Sequence, residues 1–339
     1  MQQCDMKVWL SSKKFCLISI ALAVWMAWFT FLGPKFALSN MFHHWQIAVT
    51  MAFASIIAGG TSIGGGAVAF PVFTKLLHVS PYDAKVFSLA IQSVGMGAAA
   101  LVIYLTGIRV AWRVILWASI GGVIGVGLGL GIAPLLPSNV VKMSFSLVLA
   151  SFAITLLALN RGARECHPVM PIWTVRERAI AIGAGLLGGV MSGLVGNGID
   201  ILVFSAMVLL FRMSEKVATP TSVILMAVNA LVGLAWQGWV FEDFTDPVRS
   251  YWLAAIPVVV VGAPLGAILC SKFRRETIAN ILIGLIFIEL ITSLILIPLN
   301  PMVICLSLGI LLGFSYLNYW MYRTQFYAIL PIETVEIEK

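Results

Sequence analysis

The sequence predicts an all-α polytopic membrane protein built as an inverted repeat. Each half holds one broken, re-entrant helix hairpin and three transmembrane helices, with extra helices at the N- and C-terminal ends, giving about eight full spans and two re-entrant hairpins. Three observations predict it. Of 339 residues, 60% are hydrophobic and only 10% charged, with a mean hydropathy of +1.01; a soluble domain carries about 25% charge. Apolar runs long enough for a hydrocarbon core of about 30 Å recur along the chain. Two of these runs are interrupted by glycine-rich stretches, GGTSIGGGAVAFP at residues 59–71 and GGVMSGLVGNGIDILVF at residues 188–204.

The first apolar run, residues 15–32, follows Lys7, Lys13 and Lys14. It resembles a signal peptide at its charged end, but it is long for a signal core and long enough to span, so it reads as a retained helix. Residues 37–39 are the only weak cleavage site. A short polar connection with Lys35, His43 and His44 leads to a run at 45–57 and the first break. As one helix, residues 46–77 would measure about 48 Å, too long for one crossing, so this segment is interrupted or folds back. Further runs lie at 84–106, 114–136, 140–159, 179–211 with the second break, 217–237, 251–269, 278–297 and 302–319. The chain divides into an N-terminal region (1–44), a first repeat (45–160), a cytoplasmic linker (161–177), a second repeat (178–299) and a last helix with a polar tail (300–339).

Self-comparison supports the duplication. Gly64 and Gly66 match Gly196 and Gly198 at a separation of 132; Ser80, Ala84 and Ser88 match Ser214, Ala218 and Ser222 at 134; Gly107 matches Gly238 at 131. If both broken segments return to their starting side and the N-terminus is cytoplasmic, sixteen basic residues face the cytoplasm. They are Lys7, Lys13, Lys14, Arg109, Arg113, Arg161, Arg164, Arg176, Arg178, Arg212, Lys216, Lys272, Arg274, Arg275, Arg323 and Lys339. Only Lys35, Lys75, Lys85, Lys142 and Arg249 face out, beside the acidic Glu242, Asp243 and Asp246. That is the bias the positive-inside rule demands. Three crossings per repeat put the copies in opposite senses, the architecture of many secondary transporters.

Glycine inside a helix costs about 1 kcal/mol relative to alanine, so runs of it in an apolar segment mark a break. Unwound backbone inside a membrane is tolerated only where protein buries it or it lines a wet cavity. Half-helices beginning after the breaks aim free N–H groups into that cavity, which suits an anion. The expected substrate-binding set is Ser62, Gly64, Gly65, Gly66, Ser88, Gln92, Gly196, Asn197, Gly198, Thr221 and Ser222, with Ser93, Thr219 and Asn229 as further neutral donors. No lysine or arginine is expected within a span. Scattered glycines such as those at 121–131 read as helix packing. Asp200 is the candidate for a coupling proton and equally a cap of the half-helix that starts beside it; Glu289 reads as a hydrogen-bonded structural acid. The net charge of +7 has no clustered basic face, which excludes a nucleic-acid surface. The five cysteines have no CxxC pair or neighbouring histidines, and the four histidines fall in loops, so no metal or cofactor is expected.

The glycine break followed by proline, the serine-bearing run that closes at Gly107 and the weaker second copy resemble the TauE/SafE family of sulfite exporters and sulfonate permeases, over residues 45–297. The resemblance implies a secondary carrier, an exporter of sulfite, sulfoacetate or related anions, with its small-residue site on Ser62, Gly64, Gly65, Gly66, Gly196, Asn197 and Gly198. The first helix looks like an addition to the family pattern, and Asn197 and Asp200 replace its usual small or apolar residues. The competing readings are an anion channel and an intramembrane enzyme, the latter lacking any nucleophile with a base or a metal set. The implied partners are a small anion, the lipid bilayer and, compatibly, further copies of the chain; the implied location is a bacterial inner membrane, multi-pass, with both termini cytoplasmic.

Overall fold

A computed structural model of the protein describes residues 2–61, 64, 69, 72–73, 77–160, 173–296 and 301–324. Along them run α1 (Gln2–Leu32), α2 (Pro34–His43), α3 (Trp45–Gly60), α4 (Pro81–Leu105), α5 (Trp112–Ile132), α6 (Ser138–Asn160), α7 (Val175–Val195), α8 (Ile199–Ser205), α9 (Glu215–Trp239), α10 (Val248–Cys270), α11 (Arg275–Leu296) and α12 (Pro301–Thr324). Among the described residues, seven helices are long and apolar enough to cross a membrane, and the pair α2 and α3, bent by 82°, makes an eighth candidate. The protein is therefore an integral, multi-pass membrane protein. Where a polar connection was expected around Lys35 and His43, the chain forms α2, which starts with Pro34 at its first turn, a position where the missing N–H costs nothing.

The two apolar segments with glycine breaks are interrupted. α3 stops at Gly60 after 16 residues, about 24 Å of helix. α7 covers 21 residues, about 31 Å, and its chain then turns back: a Cβ on Gly198 would lie 2.6 Å from Met191 Cβ, and one on Gly188 would lie 2.6 Å from Ile199 Cα. The stretch that follows, α8, continues as a π-turn over Ala206–Leu210.

Glycines decide which helices pair. α5 and α7 run parallel with Gly121, Gly125 and Gly129 facing Gly185, Gly189 and Gly193, and both lines repeat every four residues. A Cβ on Gly121 would sit 2.1 Å from the Ile182 carbonyl oxygen, one on Gly125 2.2 Å from that of Leu186, and one on Gly185 2.0 Å from that of Ala118. α3 and α10 repeat the arrangement, with Gly59 against Ala263 and Gly266 against Ile56. Small residues let membrane helices approach at backbone distance, where dispersion and weak Cα–H contacts replace the hydrophobic drive that lipid removes. The packing role expected for Gly121, Gly125 and Gly129 is what the structure displays.

Backbone detail recurs between the two halves. Leu77 N–H donates to Val72 O and Val79 N–H to Phe73 O; 134 residues later, Phe211 N–H donates to Ala206 O and Met213 N–H to Met207 O. The residue between each pair, His78 (φ 52°) and Arg212 (φ 53°), is left-handed. Ser80 and Ser214 then cap α4 and α9, accepting from the N–H groups of Asp83 and Lys216.

The helices at the two ends of the chain are pinned by polar side chains. Pro257 inside α10 has no N–H, which leaves the Leu253 carbonyl without its helical donor; Trp28 of α1 donates its indole N–H to that oxygen at 2.9 Å, and Trp25 donates to Pro257 O at 2.9 Å. On the opposite flank, Asn318 of α12 donates to Ser151 Oγ of α6 at 2.8 Å.

Candidate functional site

The two breaks meet. Gly64 is left-handed (φ 73°) and buried, and a Cβ added to it would stand 2.5 Å from Asn197 Nδ2 and 3.1 Å from Met226 Cε. Gly196 (φ 91°) ends α7 and Gly198 (φ 159°) precedes α8; only glycine adopts such backbone at no steric cost. The second break is gripped by the first half: Gln92 Nε2 donates to Gly196 O at 2.9 Å and to Ser88 Oγ at 2.8 Å, while Ser88 Oγ donates to the same carbonyl at 3.1 Å. The helix after one break thus holds the other break in place.

A cavity of about 80 Å³ ends on this junction. Its polar wall is Ser88, Gln92 and Asn197; its apolar wall includes Met51, Ala58, Phe73, Phe87, Ile91 and Val259; Lys142 and Ser293 also line it. Because its lining covers Ala84 to Met96 of α4, it extends along about 18 Å of that helix. The charged lining residue lies on α6, one turn past its start at Ser138, and Ser293 accepts a hydrogen bond from Ser146 of the same helix at 2.6 Å.

Of the residues singled out from sequence, the structure brings together Gly64, Ser88, Gln92, Gly196, Asn197 and Gly198. Thr221 serves elsewhere: its hydroxyl accepts the Ala111 N–H at 2.9 Å and donates to Val217 O, tying α9 to the entry of α5. Ser222 donates to Thr219 O within its own helix, and neither lines the cavity. Ser62, Gly65 and Gly66 lie outside the described residues, as does the side chain of Glu289.

Asp200 is fully buried in the first turn of α8. One oxygen accepts the Gly198 N–H at 3.1 Å, the capping geometry expected for it, while the other, Oδ2, has no hydrogen-bond partner. Ser192 Oγ completes the turn by accepting the Ile199 N–H at 3.0 Å. The carboxyl is not part of the cavity lining; it sits behind Asn197, three residues on.

Two expectations need correction. Lys85 and Lys142 were counted with the outer loops and no cation was expected in a span, yet both lie in the second turn of a helix, α4 and α6, inside the runs 84–106 and 140–159. Lys85 is buried, its ammonium 4.6 Å above the Tyr82 ring. Lys142 was legible: it is the third residue of the run 140–159, and a lysine inside an apolar run is a signal in its own right.

A family model described as "Sulfite exporter TauE/SafE" matches residues 47–292, which are α3 to α11. The chain belongs to the TauE/SafE family. A TauE/SafE-type scaffold is also consistent with a curated relative, the probable membrane transporter protein YunE of Bacillus subtilis (strain 168), which is 26% identical over 261 residues, covering 69% of this chain and 92% of that protein. No solved structure matches. The TauE/SafE match leaves out α1, α2 and α12, the helices that dock from outside on indole and amide hydrogen bonds. As a TauE/SafE protein the chain is a membrane transporter.

Proposed function

We propose that this transporter is a secondary carrier, an exporter of sulfite, sulfoacetate or similar small anions, working by alternating access at the two glycine breaks. The observation that carries the reading is the junction itself, where a cavity reaches Asn197, Ser88 and Gln92 beside the unwound backbone at Gly196. Neutral donors bind an anion without the deep trap that several fixed charges would create, which suits a site that must release its load.

The inverted, re-entrant topology belongs to the same proposal. Two contacts near the start of α5 support it: Arg178 of α7 lies over the Trp117 ring at 5.3 Å, and Thr221 of α9 accepts the Ala111 N–H. On this reading both limbs of the second hairpin start and finish at one end of the bundle. On the same reading Arg109, Arg113, Arg176, Arg178, Arg212, Lys216, Lys272, Arg274 and Arg275 lie at that end, and Asp83, Glu242, Asp243 and Asp246 lie at the other with Lys85, Lys142 and Arg249. The positive-inside rule makes the basic end cytoplasmic, which puts both termini in the cytoplasm and leads the cavity outward.

Asp200 is our candidate for the coupling group, since a buried carboxyl with one unpartnered oxygen gains by taking up a proton. Flux of sulfite and sulfoacetate into proteoliposomes, with and without a pH gradient, tests the carrier. Saturable flux driven by the gradient is expected; unsaturable flux indifferent to it would make the protein a channel. Asp200→Asn should transport with the pH dependence flattened; a pH profile identical to the parent's would remove Asp200 from the mechanism.

A further inference from the structure

We infer that the cavity at the junction takes an anion carried on a short alkyl body, and prefers it to a bare oxyanion or to a dianion of the same size; this rests on the carrier reading above and names its substrate class. The first observation is how the walls divide. On α4, Ser88 and Gln92 line the cavity on one row of the helix, and Phe87 and Ile91 line it on the adjacent row, about 100° round. The apolar row continues into Phe73, whose ring meets that of Phe87 edge-on at 5.0 Å, and into Met51 and Val259. All five of these apolar side chains are buried.

The polar side chains, by contrast, are already engaged. Gln92 Nε2 donates to Gly196 O and to Ser88 Oγ, and the Ser88 hydroxyl donates to the same carbonyl. Ser55 donates to Ala52 O within α3, Ser293 accepts from Ser146, and Asn197 bonds the Asp200 carboxyl; Lys142 has an interaction of its own as well. Among the described residues, every polar side chain of the lining thus has a partner in the protein. A head group must share those partners and gains little net from each bond, whereas a methylene laid on the apolar row displaces only water and gains its full transfer energy. Size sets the limit. Where one buried water takes about 10–15 Å³, a cavity of about 80 Å³ admits about five to eight non-hydrogen atoms. That leaves room for up to about four carbons behind a sulfonate head. Sulfoacetate has the same number of non-hydrogen atoms as butanesulfonate, but its carboxylate would lose water against Phe73 and Phe87 with no bond in exchange.

The test is equilibrium binding of methane-, ethane-, propane-, butane- and hexanesulfonate and of sulfoacetate to the purified full chain, read by titration calorimetry. Kd should fall about three- to fourfold per methylene up to butanesulfonate, rise again at hexanesulfonate, and be at least fivefold lower for butanesulfonate than for sulfoacetate. A Kd within twofold from methane- to butanesulfonate, or a lower Kd for sulfoacetate than for butanesulfonate, overturns the inference. Ala84→Leu, which adds three carbons to the apolar wall of the cavity, should flatten the series to within about threefold; a series as steep as the parent's would place the alkyl body elsewhere and overturn the assignment. The series on the unsubstituted protein keeps the inference falsifiable even if that variant fails to fold. Flux in proteoliposomes separates the two readings: a flat binding series with saturable sulfite flux removes the alkyl body and leaves the carrier standing, while a graded series with no flux of any of these anions sinks the carrier.

Discussion

The two breaks share a frame and differ in chemistry. Residues 72–79 and 206–213 make the same pair of hydrogen bonds around the same left-handed residue, and Gly64 and Gly196 both adopt positive φ. What faces them differs. Gly196 presents its carbonyl to Ser88 and Gln92, whereas Gly64 meets a methionine, Met226, at the position equivalent to Gln92. Among the described residues, the second break is tethered through Gly196 and carries Asn197 and Asp200, while the side chain at the Gln92-equivalent position beside Gly64 is the apolar Met226.

The sharpest way to break this comparison is to add a methyl group at each glycine. Gly196→Ala forces a Cβ to within 2.8 Å of Ser88 Cβ and 3.0 Å of the Lys85 carbonyl, and it carries a left-handed penalty of about 1–2 kcal/mol. Flux should fall at least a hundredfold. Gly64→Ala carries the same left-handed penalty but meets only side-chain ends, Asn197 Nδ2 and Met226 Cε, and no backbone, and should lose about tenfold; equal losses would mean that the breaks are energetically equivalent after all.

Next in size is the tether. Gln92→Met, which copies the residue of the other half, leaves Gly196 O to Ser88 alone and should cost about 1–3 kcal/mol, read as a lower melting temperature and about tenfold slower flux. The reciprocal Met226→Gln should change flux less than threefold. Smaller again is Trp28→Phe, which strips the donor from the Leu253 carbonyl and should cost about 1 kcal/mol in thermal unfolding with flux kinetics unchanged. The smallest effect is expected at Gly97, where a Cβ meets nothing within 4 Å. Gly97→Ala should leave flux intact and stabilise α4 by up to about 1 kcal/mol.

Much of this was legible because glycine and charge are costly in lipid. The broken segments, the packing glycines on α5 and the cluster around Gly64, Ser88, Gln92 and Asn197 all follow from residue types and spacing. What escaped depends on neighbours distant in sequence. Thr221 looked like a ligand donor, but the residue that decides its role is Ala111, on another helix. Whether Asp200 caps or carries a proton turns on which oxygen finds a partner, and spacing says nothing of that. Lys142 was misassigned for a simpler reason, since the third residue of an apolar run was placed in the loop before it.

The pairing of α3 with α10 and of α7 with α5 has a consequence for assembly. Each break-bearing helix rests its glycine face on a helix from the other half, so neither half owns a finished surface. A chain carrying one half is half a site and half a packing interface, with backbone-wide grooves open to lipid. Two such chains would have to find each other in the bilayer before either could close, and joining them in one polypeptide turns that encounter from a search into a fold.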